Sequence, residues 1–351
     1  MTPIKVAVNG YGVIGKRVAD AVVLQPDLEL VGVADVSTDS RVRLAAERGY
    51  RLFGSTPDAA AAMRAAGLEP AGDLGALLAE SDVVVDATPK RVGAANKPAY
   101  EAAGVKAIFQ GGETHELAGV SFVAQANYEE ALGRDVVRVV SCNTTGLVRV
   151  LGALRSEGLV ERARAVLIRR GADPWESHLG GLVNTLLPEP SVPSHQGPDA
   201  RTVLPDLDLV TVAAAGPFTL SHVHFATVEA PRETSRDEVL DVLRAAPRIV
   251  LVRASEGVEA PNSVIEVVRD LGRPRGDLWE VAVWEDSLAV AGREIFLTYQ
   301  VHNEAIVTPE NVDAIRAVTA AEREGDRSIA LTDEALGVRP ELVPAAAPVA
   351  E

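Results

Sequence analysis

Residues 4–16 read Ile4-Lys5-Val6-Ala7-Val8-Asn9-Gly10-Tyr11-Gly12-Val13-Ile14-Gly15-Lys16, and this stretch decides the fold. Ile4 to Val8 is a β-branched run that predicts a strand. Gly10 to Gly15 carries the spacing G-x-G-x-x-G, and Val18, Ala21 and Val22 recur at helical spacing within Lys16 to Leu24. A glycine triplet alone is a weak signal, because such triplets occur by chance. Here a strand precedes it, a helix follows it, and a second strand, Leu28 to Ala34, runs into Asp35, where an acidic residue that binds ribose is expected. Gly10 then permits the tight turn, Gly12 lets backbone approach a pyrophosphate, and Gly15 lets the helix pack on the strand. Val13 and Ile14 open the helix whose N-terminus faces the phosphates. The stretch predicts a nicotinamide dinucleotide site. Asp35 would accept bonds from both ribose hydroxyls and repel a 2′-phosphate, which favours NAD, while nearby Ser37, Thr38 and Arg41 leave NADP use open.

Outward from this unit, Val83 to Ala87 and Lys106 to Phe109 read as further strands separated by Ala-rich helical segments, a pattern that predicts a parallel sheet. After Val136 to Val140 the pattern changes. Ala165 to Arg170, Leu207 to Ala214, Val223 to Val228 and Ile249 to Val252 read as strands with fewer helices between them, and Pro309 to Glu324 reads as a helix with Pro near its start. The fold class expected is α/β: an N-terminal Rossmann dinucleotide-binding domain and an α+β catalytic domain with a mostly antiparallel sheet. The boundaries expected are 1–140 for the first, 141–303 for the second, 304–336 for a helical segment returning to the first, and 337–351 for a loose Pro- and Ala-rich tail.

Composition narrows the function. With 50 Asp and Glu against 34 Lys and Arg, a formal charge of −16 argues against a grip on nucleic acid or an anionic membrane surface. An anionic substrate must then be met by local cations in a cleft. Apolar runs fall far short of the roughly 20 residues of a membrane helix, and Met1 to Lys16 holds no long apolar segment of an export signal. One cysteine forms no internal disulfide and no Cys-rich metal cage, which fits a reducing compartment, the cytoplasm.

That cysteine, Cys142, follows the strand Val136 to Val140 in Ser141-Cys142-Asn143-Thr144-Thr145-Gly146 and precedes the helical pattern Leu147 to Leu154. A thiol at a helix N-terminus is an activated nucleophile, since backbone N–H groups and the helix dipole favour thiolate and hold a developing oxyanion. A lone cysteine is more often a small buried hydrophobe, but the polar flanks argue against that here. Six histidines offer a base: His115, His178, His195, His222, His224 and His302. His222 and His224 alternate in one strand and share a face, but no further local ligand completes a metal site. Spacing alone does not choose among the six.

Jointly these features resemble one family over nearly the whole chain, the archaeal-type (type II) phosphorylating glyceraldehyde-3-phosphate dehydrogenases. The motifs are Val8-Asn9-Gly10-Tyr11-Gly12, Asp86-Ala87-Thr88-Pro89, Gln110-Gly111-Gly112-Glu113, Ser141-Cys142-Asn143-Thr144-Thr145-Gly146, Arg169-Arg170-Gly171-Ala172-Asp173-Pro174, Pro193-Ser194-His195, His222-Val223-His224 and Val301-His302-Asn303-Glu304. The resemblance implies that Cys142 is the nucleophile and His222 its base. It implies that Ser141, Asn143, His195 and Gln196 line the substrate pocket with Arg169 supplying positive charge, and that Gly111, Arg170 and Asn303 approach the cofactor. The implied reaction converts glyceraldehyde 3-phosphate, NAD(P) and inorganic phosphate to 1,3-bisphosphoglycerate through a thioester, in glycolysis or gluconeogenesis, by a homotetramer. The chain departs from the family in having Gln196 where a second His is common, and in lacking the Lys that many members carry near Asp35. Rival readings are a related semialdehyde dehydrogenase and a non-enzymatic NAD-sensing protein.

Overall fold

The computed structural model describes residues 2–110 and 112–343, and the chain divides into two compact units, Met1–Ser141 with Val307–Gly337, and Cys142–Ile306 with Val338–Glu351. In the first unit β1 (Ile4–Asn9), β2 (Leu28–Asp35), β3 (Leu52–Gly54), β4 (Gly72–Asp73), β5 (Val83–Asp86), β6 (Lys106–Phe109), β7 (Ser121–Phe122) and β8 (Val136–Val139) form one sheet in the order β4-β3-β2-β1-β5-β6-β8-β7. Every pairing in it is parallel. Helices cover a parallel sheet on both faces, so its central strands read as unbroken apolar runs; Val6, Ala7, Val8, Val83, Val84 and Val85 are all fully buried. Strand order reverses between β1 and β5, and the glycine turn leaves β1 at this switch point, where ligands of such sheets bind.

The returning segment differs from its expected outline. It forms two helices, Thr308–Thr319 and Gly325–Leu336, broken where Ala320 takes a left-handed conformation. Every residue from Thr308 to Val318 is buried, polar ones included. Glu310 accepts from the Ala124 N–H (2.7 Å), and Arg316 reaches both carboxylate oxygens of Asp27 (2.7 and 2.8 Å). The tail also begins later than expected: the Arg339 N–H donates to Glu280 (2.9 Å) and Leu342 is buried among Val250, Val258 and Trp284. The rest of the Pro- and Ala-rich stretch, 344–351, lies outside the described residues.

In the second unit β9 (Arg162–Arg170), β10 (Leu187–Pro188), β11 (Leu209–Gly216), β12 (His222–Glu229), β13 (Ile249–Val252), β14 (Val281–Trp284), β15 (Ala289–Ala291) and β16 (Glu294–Val301) form a mixed sheet in the order β10-β11-β9-β12-β16-β14-β13, with β15 beside β16. β9 with β11 and β13 with β14 run parallel; the remaining pairings are antiparallel. Alternation along β12 turns His222, His224, Ala226 and Val228 inward. The helix Cys142–Ser156 belongs to this unit, where Val301 closes on Gly146: a methyl at Gly146 would stand 2.4 Å from a Val301 methyl.

Candidate active site

In the first unit the glycine turn is set by sterics. Gly10 has φ +93°, and an added Cβ would lie 2.8 Å from the Ala87 carbonyl carbon and the Thr88 nitrogen. At Gly15 it would lie 1.8 Å from the Gly10 oxygen, whereas at Gly12 its nearest neighbour is the Arg41 Nη1 at 4.0 Å. The Val13–Leu24 helix starts from Gly12 with no side-chain cap, so the donors of its first turn, Val13 and Ile14 included, are left to a ligand or water. The Asp35 carboxylate takes the Tyr11 N–H (2.7 Å) and the Ser37 N–H (2.8 Å), tying the glycine turn to the end of β2. This cradle fits the pyrophosphate and ribose of a dinucleotide. Gly111 lies outside the described residues.

In the second unit Cys142 is the first residue of the Cys142–Ser156 helix, and its Sγ lies 3.4 Å from His222 Nε2. The other ring nitrogen fixes the tautomer of this histidine. The Arg170 backbone N–H donates to His222 Nδ1 (3.1 Å). A backbone N–H only donates, so Nδ1 accepts, and the proton of the neutral ring sits on Nε2, facing the sulfur. In this tautomer the ring presents its N–H to the Cys142 sulfur. Burial, reinforced by the Arg170 and Arg169 charges, pushes its pKa well below the usual 6.5 and keeps the ring neutral. Burial also pushes the Cys142 thiol up to about 11, against the opposing pull of the Arg170 charge and of the backbone N–H groups of Asn143 and Cys142.

The surrounding residues hold one another. His224 donates from Nε2 to the Asn143 side-chain oxygen (2.9 Å), and burial lowers its pKa to about 3. Thr144 donates to Asp199 (2.7 Å). Asp173 gathers two residues the resemblance placed near the cofactor: it accepts from the Arg170 guanidinium through Nε and Nη2 and from Asn303 Nδ2 (3.0 Å). Asn303 in turn accepts from the N–H of Ser221, whose left-handed backbone (φ +71°) leads into His222.

Glu189 joins the two basic candidates of the substrate pocket, contacting Arg169 Nη2 (2.9 Å) and His195 Nδ1 (3.1 Å). Gln196 is fully buried, and neither amide atom has a hydrogen-bond partner. Ser141, half-buried, ends the first unit's segment. Sequence reasoning gave no role to Asp173 or Glu189, although Asp173 stands within a motif; ion pairing between separate strands and loops leaves no local periodic signal.

Comparison with known proteins adds the following. Residues 141–287 match the family described as "Glyceraldehyde 3-phosphate dehydrogenase, C-terminal domain", and residues 4–115 match "Dihydrodipicolinate reductase, N-terminus". The chain is 49% identical to a glyceraldehyde-3-phosphate dehydrogenase of Archaeoglobus fulgidus, covering 96% of this chain and 99% of the relative. It is 47% identical to one of Halobacterium salinarum (95% and 100%) and 45% identical to one of Methanococcoides burtonii (96% and 100%). The crystal structure of aspartate semialdehyde dehydrogenase II from Vibrio cholerae is similar in fold, with a TM-score of 0.65 over 91% of this chain and 99% of that one at 15% identity.

Proposed function

The chain belongs to the glyceraldehyde-3-phosphate dehydrogenase family, and from that premise we propose how its own residues carry out the reaction. The protein is an NAD(P)-dependent oxidoreductase that oxidises glyceraldehyde 3-phosphate with inorganic phosphate, and the α/β fold with a Rossmann unit expected from the sequence is borne out. The observation that carries the mechanism is the approach of Cys142 Sγ to a His222 whose tautomer is fixed by the Arg170 N–H.

In this proposal the thiol loses its proton to solvent, and the Cys142 thiolate forms a C–S bond to the aldehyde carbon as the carbonyl π pair moves onto oxygen. His222 Nε2–H and the backbone N–H groups at the helix start hold that oxyanion. A nicotinamide, when bound, would supply the hydride acceptor needed to oxidise the Cys142 hemithioacetal to a thioester. A phosphate oxygen then attacks the thioester carbon, and Cys142 leaves as thiolate, its charge again met by His222. Arg170 and Asn303, fixed by Asp173, are the residues proposed to approach the cofactor, and Asn143, Ser141, Arg169, His195 and Gln196 those proposed to bind the substrate.

NAD is the preferred cofactor in this reading, because the Asp35 carboxylate repels a 2′-phosphate. The assembly is a homotetramer in the cytoplasm. In support of assembly, Val212, Val166 and Phe225 stand in register across β11, β9 and β12 on the outer sheet face, 41–49% exposed. Exposed Trp175, Leu179, Val183, Leu187 and Val192 crowd one segment of the same unit. Phe225→Glu should lower the sedimentation-derived mass; an unchanged mass would remove that face from the interface. Measuring turnover with and without inorganic phosphate tests the activity, and phosphate-independent oxidation would contradict the phosphorylating step.

A further inference from the structure

At the end of β2 an anion, Asp35, and a cation, Arg41, stand near one another. Asp35 already spends both carboxylate oxygens on backbone donors, Tyr11 N–H and Ser37 N–H. Four residues after Asp35, Asp39 caps the Ser40–Glu47 helix by accepting from the Arg41 N–H (2.9 Å). The same carboxylate takes Arg41 Nε (3.0 Å) and Nη2 (2.5 Å). This fork grips one edge of the guanidinium and turns the remaining nitrogen, Nη1, toward the glycine turn, 4.0 Å from where a Gly12 methyl would be. The Arg41 side chain is only 28% exposed, so the group is held rather than waving in solvent.

We propose that Arg41 is a specificity-determining residue that gives this site its capacity for a 2′-phosphorylated cofactor, with Asp39 as the tether that aims it. The inference rests on the dinucleotide reading of the glycine turn. In such a site the end of β2 meets the adenosine ribose, so a group on the 2′-oxygen enters the space between Asp35 and Arg41. A free carboxylate would exclude a phosphate. Here two backbone donors partly neutralise the carboxylate, and a guanidinium in reach supplies planar, charge-assisted donors suited to phosphate oxygens. Asp39 competes with that phosphate for the same guanidinium. The balance between the two cofactors is thus set by the Asp39–Arg41 pair and not by Asp35 alone.

The test is binding without turnover, by titration calorimetry with ADP-ribose and with 2′-phospho-ADP-ribose. Arg41→Ala should weaken the 2′-phosphorylated ligand by about tenfold or more, the equivalent of about 1.4 kcal/mol, while leaving ADP-ribose within about threefold, and Arg41→Lys should restore part of the loss. Asp39→Asn keeps a capping side chain and removes the carboxylate charge that competes for the guanidinium, so it should tighten the 2′-phosphorylated ligand relative to ADP-ribose. Equal weakening of both ligands by Arg41→Ala would place the guanidinium on the shared pyrophosphate and overturn the proposal, as would no weakening of either. Failure of the unmodified protein to bind ADP-ribose would instead bring down the dinucleotide reading itself, and the retained ADP-ribose affinity of each variant reports that its fold is intact.

Discussion

Replacing His222 separates a donor from a base. The ring offers one N–H, at 3.4 Å from Cys142 Sγ, to the thiolate and then to the oxygen of the substrate adduct. Removing one preorganised donor of this kind costs about 10²–10³ in kcat, or about 3–4 kcal/mol, so His222→Ala should fall in that range. Because alanine also strips the Arg170 N–H of its acceptor, part of the loss is structural. His222→Gln supplies the control, since a Gln amide can present an N–H toward the sulfur but is not a base, and it should recover about tenfold of the alanine loss. The pH profile adds a second readout. With His222 held neutral by burial and the Arg170 and Arg169 charges, kcat/KM should show no limb near pH 6–7. The thiol is raised to about 11, so the thiolate fraction and the rate should climb steadily as pH rises toward that value. A glutamine variant no better than alanine, together with a limb near pH 6.5 that vanishes in both variants, would refute the donor assignment.

Gly15→Ala should abolish soluble folded protein, because its Cβ meets the Gly10 carbonyl oxygen at 1.8 Å, whereas Gly12→Ala has open space, should melt like wild type, and should lose cofactor affinity; a melting curve and a titration on each variant check this. Glu280→Ala removes the buried carboxylate that pairs with Arg273 at 2.6 and 2.7 Å, and should cost about 3–5 kcal/mol in denaturant unfolding. Asp27 is lowered in pKa by hydrogen bonding to Arg316 despite the opposing effect of its own burial. Its stabilising contribution is present above the unfolded value near 3.8 and is lost as pH falls through the lower folded value. Arg316→Met should flatten that acid limb of the stability curve, measured by thermal melts from pH 5 downward.

Much of the first unit was legible because its strands are buried on both faces and flanked by turn residues; Lys106–Phe109 and the turn after β1 fall where the pattern puts them. The second sheet was harder. β16 was not singled out, since Phe296 points outward and blunts the alternation of Glu294 to Val301. The Thr308–Thr319 helix ran on in the sequence reading to Glu324, because its end is a left-handed alanine, a position that normally announces itself with glycine. Within the candidate site, local sequence marked Cys142 through its polar flanks, but spacing could not choose a histidine for it, and only resemblance pointed to His222. The tautomer of that histidine depends on a backbone N–H of another strand, Arg170, and is invisible without coordinates.

The central claim is a covalent acyl carrier at Cys142. Incubating the protein with glyceraldehyde 3-phosphate and NAD in the absence of inorganic phosphate, then mapping peptides by mass spectrometry, tests it most directly. The account predicts a phosphoglyceroyl adduct on the peptide holding Cys142, discharged when phosphate is added. An adduct on another residue, or full turnover by Cys142→Ala, would contradict it.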